Sequence, residues 1–555
     1  SSSAASDVYK RQVHCYLRGG GAQVGPDAYN TIEEFRTVPE ILSGAGYACG
    51  LVGKWHLGGN LTPQEGFTYW VTKPHGHTST FYDAEIIEDG EIRKEPRYLT
   101  DFWTDHAVRF LEESRDGPFF LLLAYNGPYG LGESLTRLLA LRCRAREVLE
   151  ILGRGEEPGP ESSVSKVLVI DGEQHFYDTV RRVLSPDLDL GIGPASEAWQ
   201  ESYLYSRASS IYGGSREIQL NVIAKLMVSQ GKSPRTDSAS NEVVSIREGV
   251  FDALEKSGSA RDALDGLDWW ALGASPGDAF GRAAFSSLFE AQGSIPTHSP
   301  ALAAVRCGAW AEQAGAPANE VAFVVDARPD PEGRLLVLGF DEKTKWIAIP
   351  GDGGQATLHA RGDEGVESHA MEADLVRWVT LGTESRLVSA GADADRRQLS
   401  LARLACAFEI LGAALALLDR SIEHTNVREQ FGAPIARLQA VQHLLSESQI
   451  DVAALSALCD AALEEWIAGG DDCDALADAC KGFAGRVGRN VAQRALQCFG
   501  AIGFTDEHPH HRYAHRIHVL DAIFGTHYAL HAALGRDLIR TGRAPRGIQV
   551  FRPPI

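Results

Sequence analysis

The 555-residue sequence predicts a multidomain chain in which an α/β segment is followed by a helical segment and then by an α+β unit of helices, sheet and long helices. Three patterns carry this reading. Over residues 31–130, short apolar runs of strand type alternate with helical stretches. Between 320 and 381, β-type runs are separated by Asp/Pro/Gly turns. Beyond 394, apolar residues recur three and four apart, the spacing of a helix face.

Composition bounds the rest. With 44% hydrophobic and 23% charged residues, the chain is ordinary for a folded globular protein and long enough for several cores. A net charge of −21 argues against a nucleic-acid partner or an anionic membrane surface, since either favours a basic face. Nine cysteines without C-x-x-C spacing read as reduced core residues, so neither a disulfide frame nor a metal site is expected, and a cytoplasmic location is. No apolar run is expected to span a bilayer, and no signal-peptide pattern is found.

Residues 1–12 lack any apolar period and read as an adapter scar. In the next segment, 13–133, Thr31-Ile-Glu-Glu-Phe-Arg-Thr-Val-Pro-Glu-Ile-Leu-Ser is a capped helix leading into a strand, and Gly53-Lys54-Trp55-His56-Leu57-Gly58 follows that strand's end. A cation and an imidazole placed there suit an oxyanion. After a helix at 101–113, Pro118-Phe-Phe-Leu-Leu-Leu-Ala is a buried strand of parallel type. The Gly-Tyr-x-x-Gly-x-x-Gly-Lys-x-His string resembles the second signature of the sulfatases, which implies a sulfate-ester contact for Lys54 and His56. The C/S-x-P-x-R nucleophile context, the early acidic pair and the late Asp-Asn pair for calcium are not found in this stretch, and Tyr129 stands where a histidine is usual. Charge stabilisation without nucleophile or metal does not make a hydrolase, so the segment reads as a sulfatase fragment, inactive on sulfate esters.

Residues 134–231 change character. A basic helix (Leu135–Arg154), a Gly/Pro turn cluster and a second helix to about Leu184 precede Tyr212-Gly213-Gly214-Ser215-Arg216-Glu217-Ile218-Gln219. Two glycines before a helix can turn backbone N–H groups toward an anion or ring edge, and the same residues also suit a plain N-cap. Residues 232–242 are polar and Ser-rich, a linker. Helices are expected over 243–305 and a β domain over 306–385. The C-terminal helical domain, 386–555, holds long helices at 394–427, 436–467, 472–500 and 517–541.

Leu401, Leu404, Ala405, Phe408, Leu411, Leu415, Leu418 and Ile422 mark a buried face, and Asn426-Val-Arg428-Glu-Gln-Phe431-Gly432 ends that helix at a corner. Arg428 there offers a planar, permanently charged group that suits phosphate or carboxylate, and an arginine so placed also serves as a solvated cap of the helix dipole.

Arg428-x-x-Phe-Gly-x-x-Ile, then Gln439-x-x-x-His443, then Gln497-Cys-Phe-Gly500-Ala501-Ile-Gly503-Phe-Thr resembles the flavin-dependent acyl-CoA dehydrogenases over roughly 243–555. The 134–231 segment resembles the closing helices of a second such subunit. The resemblance implies an α–β–α fold, FAD as cofactor, an acyl-CoA substrate, a second acyl-CoA dehydrogenase subunit as homo- or hetero-oligomeric partner, and a soluble electron-transfer flavoprotein as acceptor. It places Arg428, Phe431, Gln439, Gln497, Gly500, Ala501, Gly213 and Gly214 along the FAD path.

Desaturation requires a carboxylate to take the α-proton while flavin takes the β-hydrogen. The family positions for that base fall on Gly213, Ala402 and Phe524, none of which can accept a proton. Glu217 reads as a helix cap and Glu409 as a helix-flank residue. The second half thus resembles the base-less partner of heteromeric acyl-CoA dehydrogenases acting on bulky, steroid-like CoA esters. Its expected role is α,β-desaturation of an acyl-CoA, possible sterol side chains included, or completion of a neighbour's FAD site.

Overall fold

The computed structural model describes residues 36–55, 59–74, 82–115, 117–124, 131–184, 196–234, 241–257, 259–272, 276–362 and 375–545. They fall into two compact units, Ser1–Tyr129 and Gly130–Ile555.

In the first unit, α1 (Val38–Gly44) starts at a reciprocal cap between Thr37 and Glu40 and leads into β1 (Ala48–Gly53). A five-stranded sheet follows, ordered β4-β3-β2-β1-β5, with β2 (Tyr69–Thr72) and β5 (Phe119–Ala124) parallel to β1. The antiparallel pair β3 (Ala84–Glu88) and β4 (Glu91–Glu95) extends it, and α2 (Leu99–Glu113) returns the chain to β5. Strand alternation sends Val52 into a core with Ile86, Phe102 and Trp103, and Leu51 into one with Trp55, Phe67 and Trp70. A side chain at Gly53 (φ 112°) would stand 2.0 Å from the Ala124 carbonyl oxygen, so only glycine fits where β1 ends.

The second unit opens with α3 (Leu131–Gly153), α4 (Glu161–Leu184), α5 (Ser196–Ala208) and α6 (Arg216–Gln230). Then come α7 (Asn241–Lys256), α8 (Ala260–Gly266), the single turn α9 (Trp269–Leu272), α10 (Ala279–Ser294) and α11 (Ala301–Ala314). A six-stranded sheet, ordered β10-β7-β6-β8-β9-β11, is built from β6 (Val321–Asp326), β7 (Leu335–Leu338), β8 (Trp346–Pro350), β9 (Gln355–Arg361), β10 (Val376–Val379) and β11 (Leu381–Ser389). Only β6 and β8 pair in parallel. The strand β11 is absent from the sequence reading because its middle, Thr383–Leu387, is exposed and gives no apolar alternation.

The bundle closes the unit in helix–sheet–helix order: α12 (Ala392–Val427), α13 (Gln439–Ala468), α14 (Cys473–Phe499), α15 (His510–Ala522) and α16 (His527–Thr541). Two expectations are corrected. The anticipated helix 517–541 is two helices, α15 and α16, broken at Ile523–Thr526, where Phe524 adopts φ 57° and Thr526 caps α16. And α12 is long and apolar enough to cross a membrane by length and composition, contrary to the expectation of no such run; 89% of its most apolar window is buried inside the fold. It is the central strut of the bundle, packed by α10, α14 and α13 on different sides, so its apolar surface exceeds a single stripe.

Candidate functional site

The corner after α12 is a miniature hairpin. The Arg428 N–H donates to His424 O (2.8 Å) as the helix stops, and its carbonyl accepts from Ile435 N (2.9 Å). Glu429–Gln430 pairs with Ala433–Pro434, leaving Phe431 (φ 57°) and Gly432 (φ 80°) as a two-residue loop with both φ angles positive. Phenylalanine is costly in that conformation, yet here its ring is 93% exposed. Arg428 is also exposed, and its guanidinium has no ion-pair or hydrogen-bond partner among the described residues. Gln497, near the end of α14, is exposed and likewise unbonded. Beyond it, Gly500 (φ 67°), Ala501, Ile502 and Phe504 form an exposed turn.

Gln439 is differently placed. Its Nε2 reaches Asn221 Oδ1 (3.3 Å), which His443 Nε2 also contacts (3.1 Å). Asn221 lies on α6, whose entry is the Gly213 (φ 67°), Gly214 (φ 90°) turn capped by Ser215 accepting from Ile218 N (3.4 Å). A side chain at Gly214 would be strained by the positive φ and would displace the Gln219 amide, whose Nε2 lies 2.4 Å from where a Cβ would stand. Ser446 Oγ donates to Leu220 O (2.7 Å) and Asn426 Nδ2 to Val228 O (3.2 Å), so α6 is fixed along the helices that flank the Arg428 corner. Asn221 and His443 thus join two regions that the sequence reading located separately. No local pattern marks this link, because its partners are more than 200 residues apart.

At the break between α15 and α16, Phe524 turns its ring against Phe323 of β6 (centroids 5.4 Å apart), and Phe323 stacks on Trp310 of α11 (6.4 Å, 7°). Arg403 Nε donates to Phe524 O (2.9 Å), while buried Lys481 donates from Nζ to Asp521 O (3.1 Å) and Gly525 O (3.2 Å). Asp521 accepts from His527 N (2.9 Å) and contacts its Nδ1 (2.7 Å). Burial would raise the Asp521 carboxyl, but the His527 bond and the Lys481 charge hold it at about 2. The turn is therefore clamped by two cations and an ionised carboxylate.

Residues 129–228 and 389–538 match the family described as "Acyl-CoA dehydrogenase, C-terminal domain", and residues 18–141 match "Sulfatase". A probable acyl-CoA dehydrogenase FadE25 of Mycobacterium tuberculosis is 30% identical over 132 residues, 24% of this chain and 34% of that protein. An N-acetylglucosamine-6-O-sulfatase of Bacteroides thetaiotaomicron is 34% identical over 96 residues, 17% of each. Among solved structures, the ChsE4–ChsE5 complex of M. tuberculosis aligns at 21% identity with a TM-score of 0.45, over 55% of this chain and 99% of that one. The chain thus carries one segment similar to sulfatases and two segments similar to the C-terminal domain of acyl-CoA dehydrogenases. It spans about a third of the length of the FadE25 relative and about a sixth of the sulfatase.

In the segments similar to acyl-CoA dehydrogenases, Gly213, Ala402 and Phe524 lie in three different settings. Gly213 is an exposed turn, Ala402 is wholly buried in α12, and Phe524 packs on the sheet. Glu217 is an exposed helix-entry residue whose carboxyl is lowered by backbone and Ser215 hydrogen bonds, in keeping with a cap. Glu409 is not on a flank: it is 0% exposed and paired with Arg516 Nη2 (2.6 Å), because α12 is covered on every side at this level. Burial raises the Glu409 carboxyl, against the pull of Arg516.

In the segment similar to sulfatases, Lys54 follows β1 directly, its N–H donating to Ala124 O (2.7 Å), and burial lowers its amine. His56 lies outside the described residues. A second lysine, Lys73, unforeseen from sequence, follows the neighbouring parallel strand β2, is only 4% exposed, and is lowered to about 8 by burial and then by Lys54.

Proposed function

We propose that residues 130–555 act as one member of an FAD-dependent acyl-CoA dehydrogenase assembly that desaturates an acyl-CoA thioester between Cα and Cβ. The observation that carries this is the Arg428 corner: a guanidinium and a Gln497 amide without partners among the described residues, beside an outward-facing phenylalanine. Those groups fit a phosphate-bearing cofactor with an aromatic base, since a free arginine pairs with pyrophosphate oxygens and an exposed ring offers a stacking face. FAD, when bound, supplies the acceptor for the β-hydrogen.

The chain's own part is to hold that cofactor. Arg428 would neutralise phosphate charge, Phe431 and Gln497 would flank the adenosine side, and Gly500 and Ala501 would leave the backbone open to it. Gly213 and Gly214 would present backbone N–H groups at the entry to α6. The α-proton must leave to a carboxylate that Gly213, Ala402 and Phe524 do not provide, so a base-bearing partner subunit completes the reaction. Bulky substrates such as sterol side-chain CoA esters, and an electron-transfer flavoprotein as acceptor, are the expected context.

The second reading, a subunit that completes a neighbour's FAD site and turns over nothing itself, is favoured by Phe524, whose ring is packed on Phe323 where a base would face substrate. Anaerobic flavin bleaching by short, long and sterol-derived acyl-CoAs tests both. Bleaching only after mixing with a base-bearing homologous subunit supports the partner-subunit reading; unchanged bleaching with Arg428→Ala in the mixture removes the support that the Arg428 corner gives to both readings. Rapid bleaching by the chain alone would overturn the assignment of the missing base. The first unit, lacking a nucleophile context, is proposed to release no sulfate from aryl sulfates.

A further inference from the structure

The helices α3 to α6 and the bundle they cover match the same domain description, and their mutual packing is reciprocal. Leu131-Gly132-Glu133-Ser134 opens α3, and Leu445-Ser446-Glu447-Ser448 lies within α13. Gly213-Gly214-Ser215 enters α6, and Phe524-Gly525-Thr526 enters α16. By these pairs, α3 corresponds to α13 and α6 to α16. The contacts follow the same exchange: α3 packs on α16 just as α13 packs on α6, and α3 and α13 pack on each other.

The correspondence holds at single residues. A side chain at Gly132 would stand 1.9 Å from the His531 carbonyl oxygen, and Ser446 Oγ donates to the Leu220 carbonyl at 2.7 Å. Gly132 and Ser446 are the second residues of the two matching strings. His531 and Leu220 are each the fifth residue past the caps Thr526 and Ser215. The acids one residue on differ: Glu447 pairs with Arg216, the first residue past the cap of α6 (3.2 Å), whereas Glu133 pairs with Arg486 of α14 (3.5 Å). When residue i meets j and the counterpart of j meets the counterpart of i, the interface is isologous, the pattern a twofold axis produces.

We infer that residues 131–230 occupy, inside one chain, the seat of a partner subunit across a pseudo-twofold axis, so the α13 face is a homotypic docking surface that fits a second bundle bearing the Leu-x-Glu-Ser helix. The arrangement is asymmetric in one respect. The bundle has α12 and the Arg428 corner, for which the described helices α3 to α6 hold no counterpart, so the pairing carries one such corner. This inference concerns pairing only and stands whether or not the corner binds FAD.

The test uses the full chain and two variants at the corresponding positions. Gly132→Phe forces α3 off α16 but leaves the α13 face intact. Its α3 to α6 region should lose hydrogen-exchange protection, and the freed α13 faces of two chains should pair, doubling the mass found by sedimentation relative to wild type. Ser446→Phe spoils the α13 face itself, so it should loosen α6 without the gain in mass. Protection of α14 in both variants reports that the bundle remains folded. Unchanged protection of α6 in Ser446→Phe, or loosening in Gly132→Phe with no doubling of mass, would overturn the homotypic reading; if α14 protection is lost, the milder pair Gly132→Val and Ser446→Val is read by the same two measurements.

Discussion

Phe524 meets Phe323 edge to face, at 5.4 Å between ring centroids and 60° between planes, and so ties the turn before α16 to the sheet. Such aromatic pairs contribute about 0.5–1.5 kcal/mol beyond the area they bury. The turn cannot easily reorient, because Arg403 and Lys481 hold the carbonyls of Phe524 and Gly525.

Phe524→Glu should therefore place a carboxylate against an aromatic wall instead of creating a working base. The expected result is a loss of roughly 2–4 kcal/mol, in the range for losing a large aromatic contact, with no gain in acyl-CoA oxidation. Urea unfolding and anaerobic bleaching check the two halves. A stable variant that bleaches flavin with substrate would show an open acyl seat at this turn.

Much of the architecture was readable because it rests on local periodicity. The apolar residues from Leu401 to Ile422 mark α12, and the turn residues around Val321, Leu335, Trp346, Ala356 and Val376 delimit five strands. What was not readable is contact between distant segments. Glu409 looked like a flank residue beside buried Phe408, yet a helix covered on all sides buries both neighbours, and only Arg516, more than 100 positions away, makes that tolerable. The same holds for Asn221 with Gln439 and His443, and for Lys73 beside Lys54, whose proximity comes from parallel pairing of β1 and β2. At the Arg428 corner the motif was visible, but the positive φ of Phe431 and its exposed ring were not.

Arg428→Ala should leave folding nearly unchanged, since the side chain is exposed and makes no internal bond. A charge-assisted hydrogen bond to phosphate is worth about 1.5–3 kcal/mol, so FAD retention in the assembled oligomer should fall about 10- to 150-fold. Flavin absorbance per protomer after gel filtration measures it. Equal occupancy in wild type and variant would remove Arg428 from the cofactor path.

Glu409→Ala strands a guanidinium that is 1% exposed, and removing one partner of a buried ion pair costs about 3–5 kcal/mol. Replacing both, as in Glu409→Leu with Arg516→Met, removes the stranded charge and should recover most of that loss. Denaturant midpoints of the single and double variants decide this. Additive losses in the double variant would mean that the two side chains do not act as a pair.

His531 gives the second unit a specific acid sensitivity. It lies in the contact between α3 and α16, 9% exposed, with Nε2 3.4 Å from Thr136 Oγ1. Burial lowers its pKa to about 4; Glu133 opposes this, while Arg486, His527 and Arg137 reinforce it. In the unfolded chain a histidine titrates near ~6.5. Between these values the unfolded state binds a proton that the folded state refuses, so stability is full above pH ~6.5 and falls as pH drops toward about 4, where the loss levels off. At about 1.4 kcal/mol per pKa unit, the loss approaches roughly 3 kcal/mol. His531→Gln keeps a polar group of similar reach without the titration. The urea midpoint of the wild type should therefore fall more steeply than that of His531→Gln between pH 6.5 and 4.5, the carboxylates common to both cancelling in the difference. Parallel curves would show that His531 protonates as freely in the folded chain as in the unfolded one.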